Sequence, residues 1–128
     1  MTSSFFYKKD GILQRISLDE ILLLEASENY VRFFGHSVQY IVRTTLEAAL
    51  NKLPRNMFAR INRSQAIRID QIETIEKDHL TLLTVKDGGF PVSKKYYRSL
   101  LAKVNIIDGG TDESAAEEKP EEPGEAAE

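Results

Sequence analysis

From residue 5 to residue 92 the chain is a succession of short apolar runs. Many alternate with polar residues at a period of two, and most are closed by a turn signal. Phe5-Phe6-Tyr7 leads into Lys8-Lys9-Asp10-Gly11, whose Asp-Gly step marks a hairpin, and residues 12–16 form the return strand. Residues 17–20 suit a single helical turn. Ile21-Leu22-Leu23-Leu24-Glu25-Ala26 is too short for a helix and apolar on both faces, which predicts a central strand. After the polar turn Ser27-Glu28-Asn29, residues 30–34 and 38–43 make a second hairpin around Gly35-His36-Ser37. Residues 72–75, 80–85 and 90–92 continue the series. Asp87-Gly88-Gly89 is a further hairpin turn, and Pro91 assigns the last strand to an edge or a strand start.

The period changes to that of a helix in two places. Thr44 followed by Glu47 has the spacing of a capping box. Leu46, Ala49, Leu50 and Leu53 then share one face, and Pro54 marks the end. Ser93 is a suitable N-cap for a second helix, with Tyr97, Leu101 and Val104 as its inner face. Lys94 and Lys95 fall in its first turn, where the helix dipole disfavours cations. Free amides and two ammonium groups there would suit an anion such as phosphate.

Residues 57–69 organise the rest. They read as two short strands, with Phe58 and Ile61 inward and Ile67 and Ile69 alternating with Arg68, around the polar break Asn62-Arg63-Ser64. A short polar loop between two anchored strands can hold out one guanidinium, a fork of donors that fits phosphate or a guanine edge. An ordinary solvated turn is the competing reading.

Charge divides the chain. Residues 108–128 hold nine acidic side chains and one basic, a net of −8, which leaves residues 1–107 at +5 within the overall −3. We therefore expect one domain over 1–107 and a disordered acidic tail over 108–128, too poor in large apolar residues to offset its ordering entropy. The tail would either compete weakly with a polyanion for the basic loops or serve solubility alone. The chain has no cysteine, which removes disulfides and thiolate metal sites. His36 and His79 have no partner at ligand spacing, so neither a metal nor a cofactor is expected. No run is long enough to span a membrane and no signal peptide is present, so a cytoplasmic location is expected.

Four blocks in order resemble the LytTR DNA-binding domain of bacterial transcription regulators. They are residues 19–26 with Asn29-Tyr30-Val31, Arg43-Thr44-Thr45-Leu46 through Leu53-Pro54, Phe58-Ala59-Arg60-Ile61-Asn62-Arg63-Ser64, and Pro91-Val92-Ser93-Lys94-Lys95-Tyr96. The resemblance spans residues 5–104. It implies a mainly β fold, an elongated arrangement of small antiparallel sheets with two short helices. It further implies binding of double-stranded DNA through strand-connecting loops in successive major grooves, often as two domains on a tandem repeat. Carried over by motif, the contacting residues are Asn29, Tyr30, Asn62, Arg63, Ser64, Ser93, Lys94 and Lys95. A homodimer on DNA and a separate receiver or sensor protein of a two-component system are the partners it suggests. Asn62 stands where the family usually has His, Gln65 where an aromatic is usual and Arg68 where Asn is frequent. The chain starts at Met1 directly before the domain, so we expect a stand-alone regulator or a fragment whose C-terminus is intact.

Two other function classes compete with this one. An enzyme lacks support: there is no nucleophile–base–acid set, Gly-rich phosphate loop or metal cluster, and Asp19-Glu20 and Glu25-Glu28 show no same-face pairing. A protein-interaction or single-strand-binding module would use Tyr30, Phe33, Phe34, Tyr40 and Tyr96 as stacking platforms, although aromatics alternating on strands usually face a core.

Overall fold

The computed structural model describes residues 4–85 and 88–109. Asp87 of the expected hairpin turn and residues 110–128 of the expected tail lie outside the described residues, while Asp108 and Gly109 are exposed and without regular structure. Among the described residues there are ten strands and two α-helices, close to where the alternation and the helical period placed them, in three antiparallel sheets of the kind the resemblance implied.

The first sheet is the hairpin of β1 (Phe5–Lys9) and β2 (Ile12–Ile16). Asp10 and Gly11 both have positive φ, 53° and 78°, the backbone that a two-residue hairpin turn requires. The second sheet holds β3 (Ile21–Ser27), β4 (Tyr30–Gly35), β5 (Gln39–Arg43), β6 (Phe58–Asn62) and β7 (Gln65–Arg68) in the order β5-β4-β3-β7-β6. The third holds β8 (Ile72–Ile75), β9 (His79–Leu82) and β10 (Phe90–Pro91), with β9 central. Helix α1 (Leu46–Lys52) links β5 to β6, and α2 (Lys94–Leu101) follows β10 and packs on β6.

The five-stranded sheet is covered on both faces. Phe58 and Ala66 join Leu24, Phe33, Leu46 and Ala49 in a core under the first hairpin and α1. Ala59, Ile61 and Ile67 join Leu80, Leu82, Val92 and Leu100 in a second core under the third sheet and α2. Neighbours along β6 and β7 thus feed opposite cores, as strand geometry requires. Phe58 and Ile61, both expected inward, are an odd number apart and enter different cores. Ile21 and Leu24, also an odd number apart, share one core because the β3–β4 register shifts between Ile21 and Leu23.

Three local expectations change. The cap of α1 is Thr45, whose hydroxyl accepts from the Ala48 amide at 3.1 Å. Thr44, just past the end of β5, donates its amide to Asn29 O at 3.1 Å. The strand expected over 80–85 instead runs from His79 to Leu82, where its pairing with β8 ends at Ile72. The inner face of α2 centres on Leu100, fully buried one turn after Tyr97, while Leu101 and Val104 are half-buried.

Candidate nucleic-acid interface

Antiparallel pairing brings the ends of three strand connections to one side of the central sheet. Glu25 pairs with Gln65, so β3 runs on past the start of β7, and Ala26 N donates to Ser64 O at 2.7 Å. The Glu28-Asn29 turn therefore projects roughly 7–10 Å beyond the β6–β7 turn at about 3.3 Å per residue. Glu28 is held at φ 51°, a conformation uncommon for a residue with a Cβ. On the other side, Ser93 N donates to Ile61 O at 2.8 Å, and Asn62 Nδ2 donates to Pro91 O at 2.8 Å. These three bonds tie the 27–30 turn, the 62–65 turn and the 91–95 segment into one connected rim.

Each expected contact residue can now be placed. Asn29 is exposed at the turn tip, and Tyr30 beside it is 43% exposed. Arg63 is exposed, as are Lys94 and Lys95. None of these three cations has a carboxylate within ion-pair distance among the described residues, so their charge is available. Asn62, Ser64 and Ser93 are half-buried.

Asn62 is fully engaged within the protein. Its amide nitrogen donates to Gln65 Oε1 at 2.9 Å as well as to Pro91 O, and its Oδ1 accepts from Ser64 N at 2.9 Å and Ser64 Oγ at 3.3 Å. Two donors and two acceptor sites are all that the side chain offers. It shapes the turn as an Asx motif and pins it to the end of β10. Gln65 is one of the acceptors it requires.

The sequence reading missed Arg60. Its guanidinium lies 5.1 Å from the centroid of the Tyr96 ring and donates to two carbonyls of the turn, Asn62 O from Nε at 3.3 Å and Arg63 O from Nη2 at 2.5 Å. The loop is thus held from beneath by an arginine stacked on α2, while the Arg63 side chain points free of these bonds. Lys95 Nζ sits 5.4 Å from the centroid of the same ring. The available signal was an arginine on a strand two residues before a polar turn.

Ser93 occupies the N-cap position of α2, but its hydroxyl makes no cap bond and is buried without a partner. Its carbonyl accepts from the Tyr96 and Tyr97 amides at 3.0 and 3.1 Å. Of the five aromatics considered as stacking platforms, only Tyr30 is exposed. Phe33 is core, and the half-buried Tyr40 accepts Ser17 N on its hydroxyl at 3.0 Å. The other charged grouping is His79, 2.9 Å from Asp78 and 3.3 Å from Glu76. The hydrogen bond to Asp78 first, then the Glu76 charge, raise the His79 pKa. The same hydrogen bond lowers that of Asp78. Among the described residues no cluster of acidic and histidine side chains is arranged to hold a metal ion. No helix there is long and apolar enough to cross a membrane.

The family model of the LytTr DNA-binding domain matches residues 12–105. Among solved structures, the chain is similar to the LytTr DNA-binding domain of a protein described as a methyl-accepting/DNA response regulator from Bacillus cereus. That likeness has a TM-score of 0.62 and 21% identity, and covers 79% of this chain and 98% of that one. It carries the fold, and the family match carries the kinship, over all but the first few residues of the folded part and the tail. This chain belongs to the LytTR family of DNA-binding domains.

Proposed function

We propose that the chain binds double-stranded DNA sequence-specifically in bacterial transcription regulation, in the cytoplasm, with its strand-connecting loops in the major groove. The observation that supports this best is the connected rim: three loops bearing Asn29, Tyr30, Arg63, Lys94 and Lys95, joined by the Ala26–Ser64, Asn62–Pro91 and Ser93–Ile61 hydrogen bonds. A rim locked to a five-stranded sheet can present donors to base edges without first losing loop entropy on binding. In this reading Arg63 addresses a base edge, with guanine offering O6 and N7 to a guanidinium. Lys94 and Lys95 neutralise phosphates. Asn62, Ser64 and Ser93 hold the rim in shape. Two copies on a tandem repeat, and a separate receiver or sensor protein, complete the proposed assembly.

The test is a duplex selected from a randomised pool by the intact protein, compared with an unrelated duplex and with each single strand at equal salt. Preference for the selected duplex over both supports the proposal. Equal or tighter binding of the single strands would favour a stacking module instead, against which stands the exposure of only one of the candidate aromatics, Tyr30.

Lys95→Ala separates positioning from reading. It should weaken the selected and unrelated duplexes by the same factor and reduce the slope of log affinity against log salt by about one unit. A loss confined to the selected duplex would reassign Lys95 to a base contact.

A further inference from the structure

Strand β1 and the Asp10-Gly11 turn lie ahead of the family match, which begins at residue 12. Lys8, Lys9 and Asp10 at the end of β1 line an open groove of about 380 Å³ together with Tyr30, Ile41 and Arg43. Two distant stretches of the chain meet there. The β4–β5 register sets Tyr30 opposite Arg43, and β1 packs against β5. The groove has three cations against one carboxylate, and Lys8, Lys9 and Arg43 have no ion-pair partner among the described residues. Tyr30 belongs to both places: it closes the Glu28-Asn29 turn of the rim and forms a wall of the groove.

From this juxtaposition we propose that the groove formed by Lys8, Lys9, Arg43 and Tyr30 is a DNA phosphate-binding site that extends the interface beyond the three loops. The inference rests on the proposed DNA-binding function. Its geometry follows from the strand pairing: Tyr30 begins β4 and its partner Arg43 ends β5, so both lie at the edge of the sheet from which the Glu28-Asn29 turn projects. The major groove is about 12 Å wide, so a loop seated in it has a phosphate strand within one side-chain length on either side. When the 27–30 turn is in the groove, the cations flanking Tyr30 meet that strand. A lysine pair on a flexible stem suits this task, since a phosphate contact requires charge more than a fixed fork.

The experiment is a salt series on the full chain and its Lys8→Ala/Lys9→Ala double variant, with the selected and unrelated duplexes as probes. Lys77→Ala, in the β8–β9 turn, serves as control. Both lysines are exposed on a hairpin, and a thermal melt of each variant verifies the fold. The double variant should lose nearly two units of log–log salt slope, about 0.9 for each phosphate no longer neutralised. Its affinity for the two duplexes should fall by the same factor, and Lys77→Ala should match the parent. A double variant with the parental slope and affinity overturns the inference while leaving the loop rim intact. A parent that does not prefer its selected duplex overturns the function on which the inference rests. A slope lost equally in Lys77→Ala would show nonspecific charge attraction and likewise overturns the groove as a site.

Discussion

Arg68→Ala should lower the unfolding free energy by about 3–5 kcal/mol, the largest stability loss expected for a charged residue of this chain. Arg68 closes β7, is 6% exposed, and lies with its guanidinium 5.3 Å from the centroid of the Phe58 ring. Its Nε donates to Ile21 O at 2.6 Å and its Nη2 to Leu18 O. It has no carboxylate partner among the described residues, so these two carbonyls and the ring are what offset its desolvation. The bonds join the end of β7 to Leu18, in a single helical turn over Leu18–Glu20, and to Ile21, the first residue of β3, more than forty positions earlier in sequence. Truncation leaves two carbonyls without their charged donor, each worth about 1.5–3 kcal/mol, and opens a void beside Phe58. Arg68→Met retains the apolar stem and should recover the packing part of the loss while leaving the carbonyls unpaired. Denaturant titration of both variants measures the two contributions. An Arg68→Ala protein within about 0.5 kcal/mol of the parent would show that the buried guanidinium is energetically neutral, as some buried charges are. Arg68 is distant in the chain pairing from the rim, at the opposite end of β7 from Gln65, so the folded variant should keep its preference for the selected duplex.

Arg63→Ala should cost about 1–3 kcal/mol on the selected duplex and flatten discrimination at one base pair, with little effect on the unrelated duplex beyond the lost charge. The structure makes this a clean substitution. The turn is shaped by the Asn62 amide, and its main chain is held by the Arg60 guanidinium, so neither support depends on the Arg63 side chain. Arg63→Lys then separates the possibilities. A point charge maintains attraction to phosphate but cannot bond O6 and N7 together, so a base-reading Arg63 predicts that Lys restores nonspecific affinity and not discrimination. Parental affinity in Arg63→Ala would leave the loop an ordinary solvated turn.

Much of the fold was legible because strands and hairpins announce themselves locally. The Asp10-Gly11 turn, the apolar run that became β3 and the helical stripe of Leu46, Ala49, Leu50 and Leu53 need only near neighbours to be recognised. The same holds for the exposed residues Asn29, Arg63, Lys94 and Lys95, which stand in polar breaks between apolar runs. The errors were also local in origin. Thr44 and Thr45 have equivalent capping chemistry, and what removed Thr44 was its amide bond to Asn29 across the sheet. The face of α2 was misread because positions three and four after Tyr97 both suit a helical stripe, and the packing buries Leu100 rather than Leu101, while Val104 lies beyond the helix.

By itself the sequence determined the mainly β class, the place of most turns and both helices, and the family. Each depends on period, turn chemistry and motif order within short windows. Tertiary structure alone decided the roles of the arginines and the unity of the rim. Arg68 alternates with Ile67 and Ile69 like a solvent-facing residue of a half-buried strand. It is buried because the five-stranded sheet is covered on both faces, by the first hairpin and α1 on one and by the third sheet and α2 on the other. Arg60 became a support because α2 places Tyr96 against it, and Asn62 became a fastener because Pro91 comes within 2.8 Å. Those partners are about thirty positions away or more, and pairing over such separations is set by which faces must be buried together, a property that no local window contains.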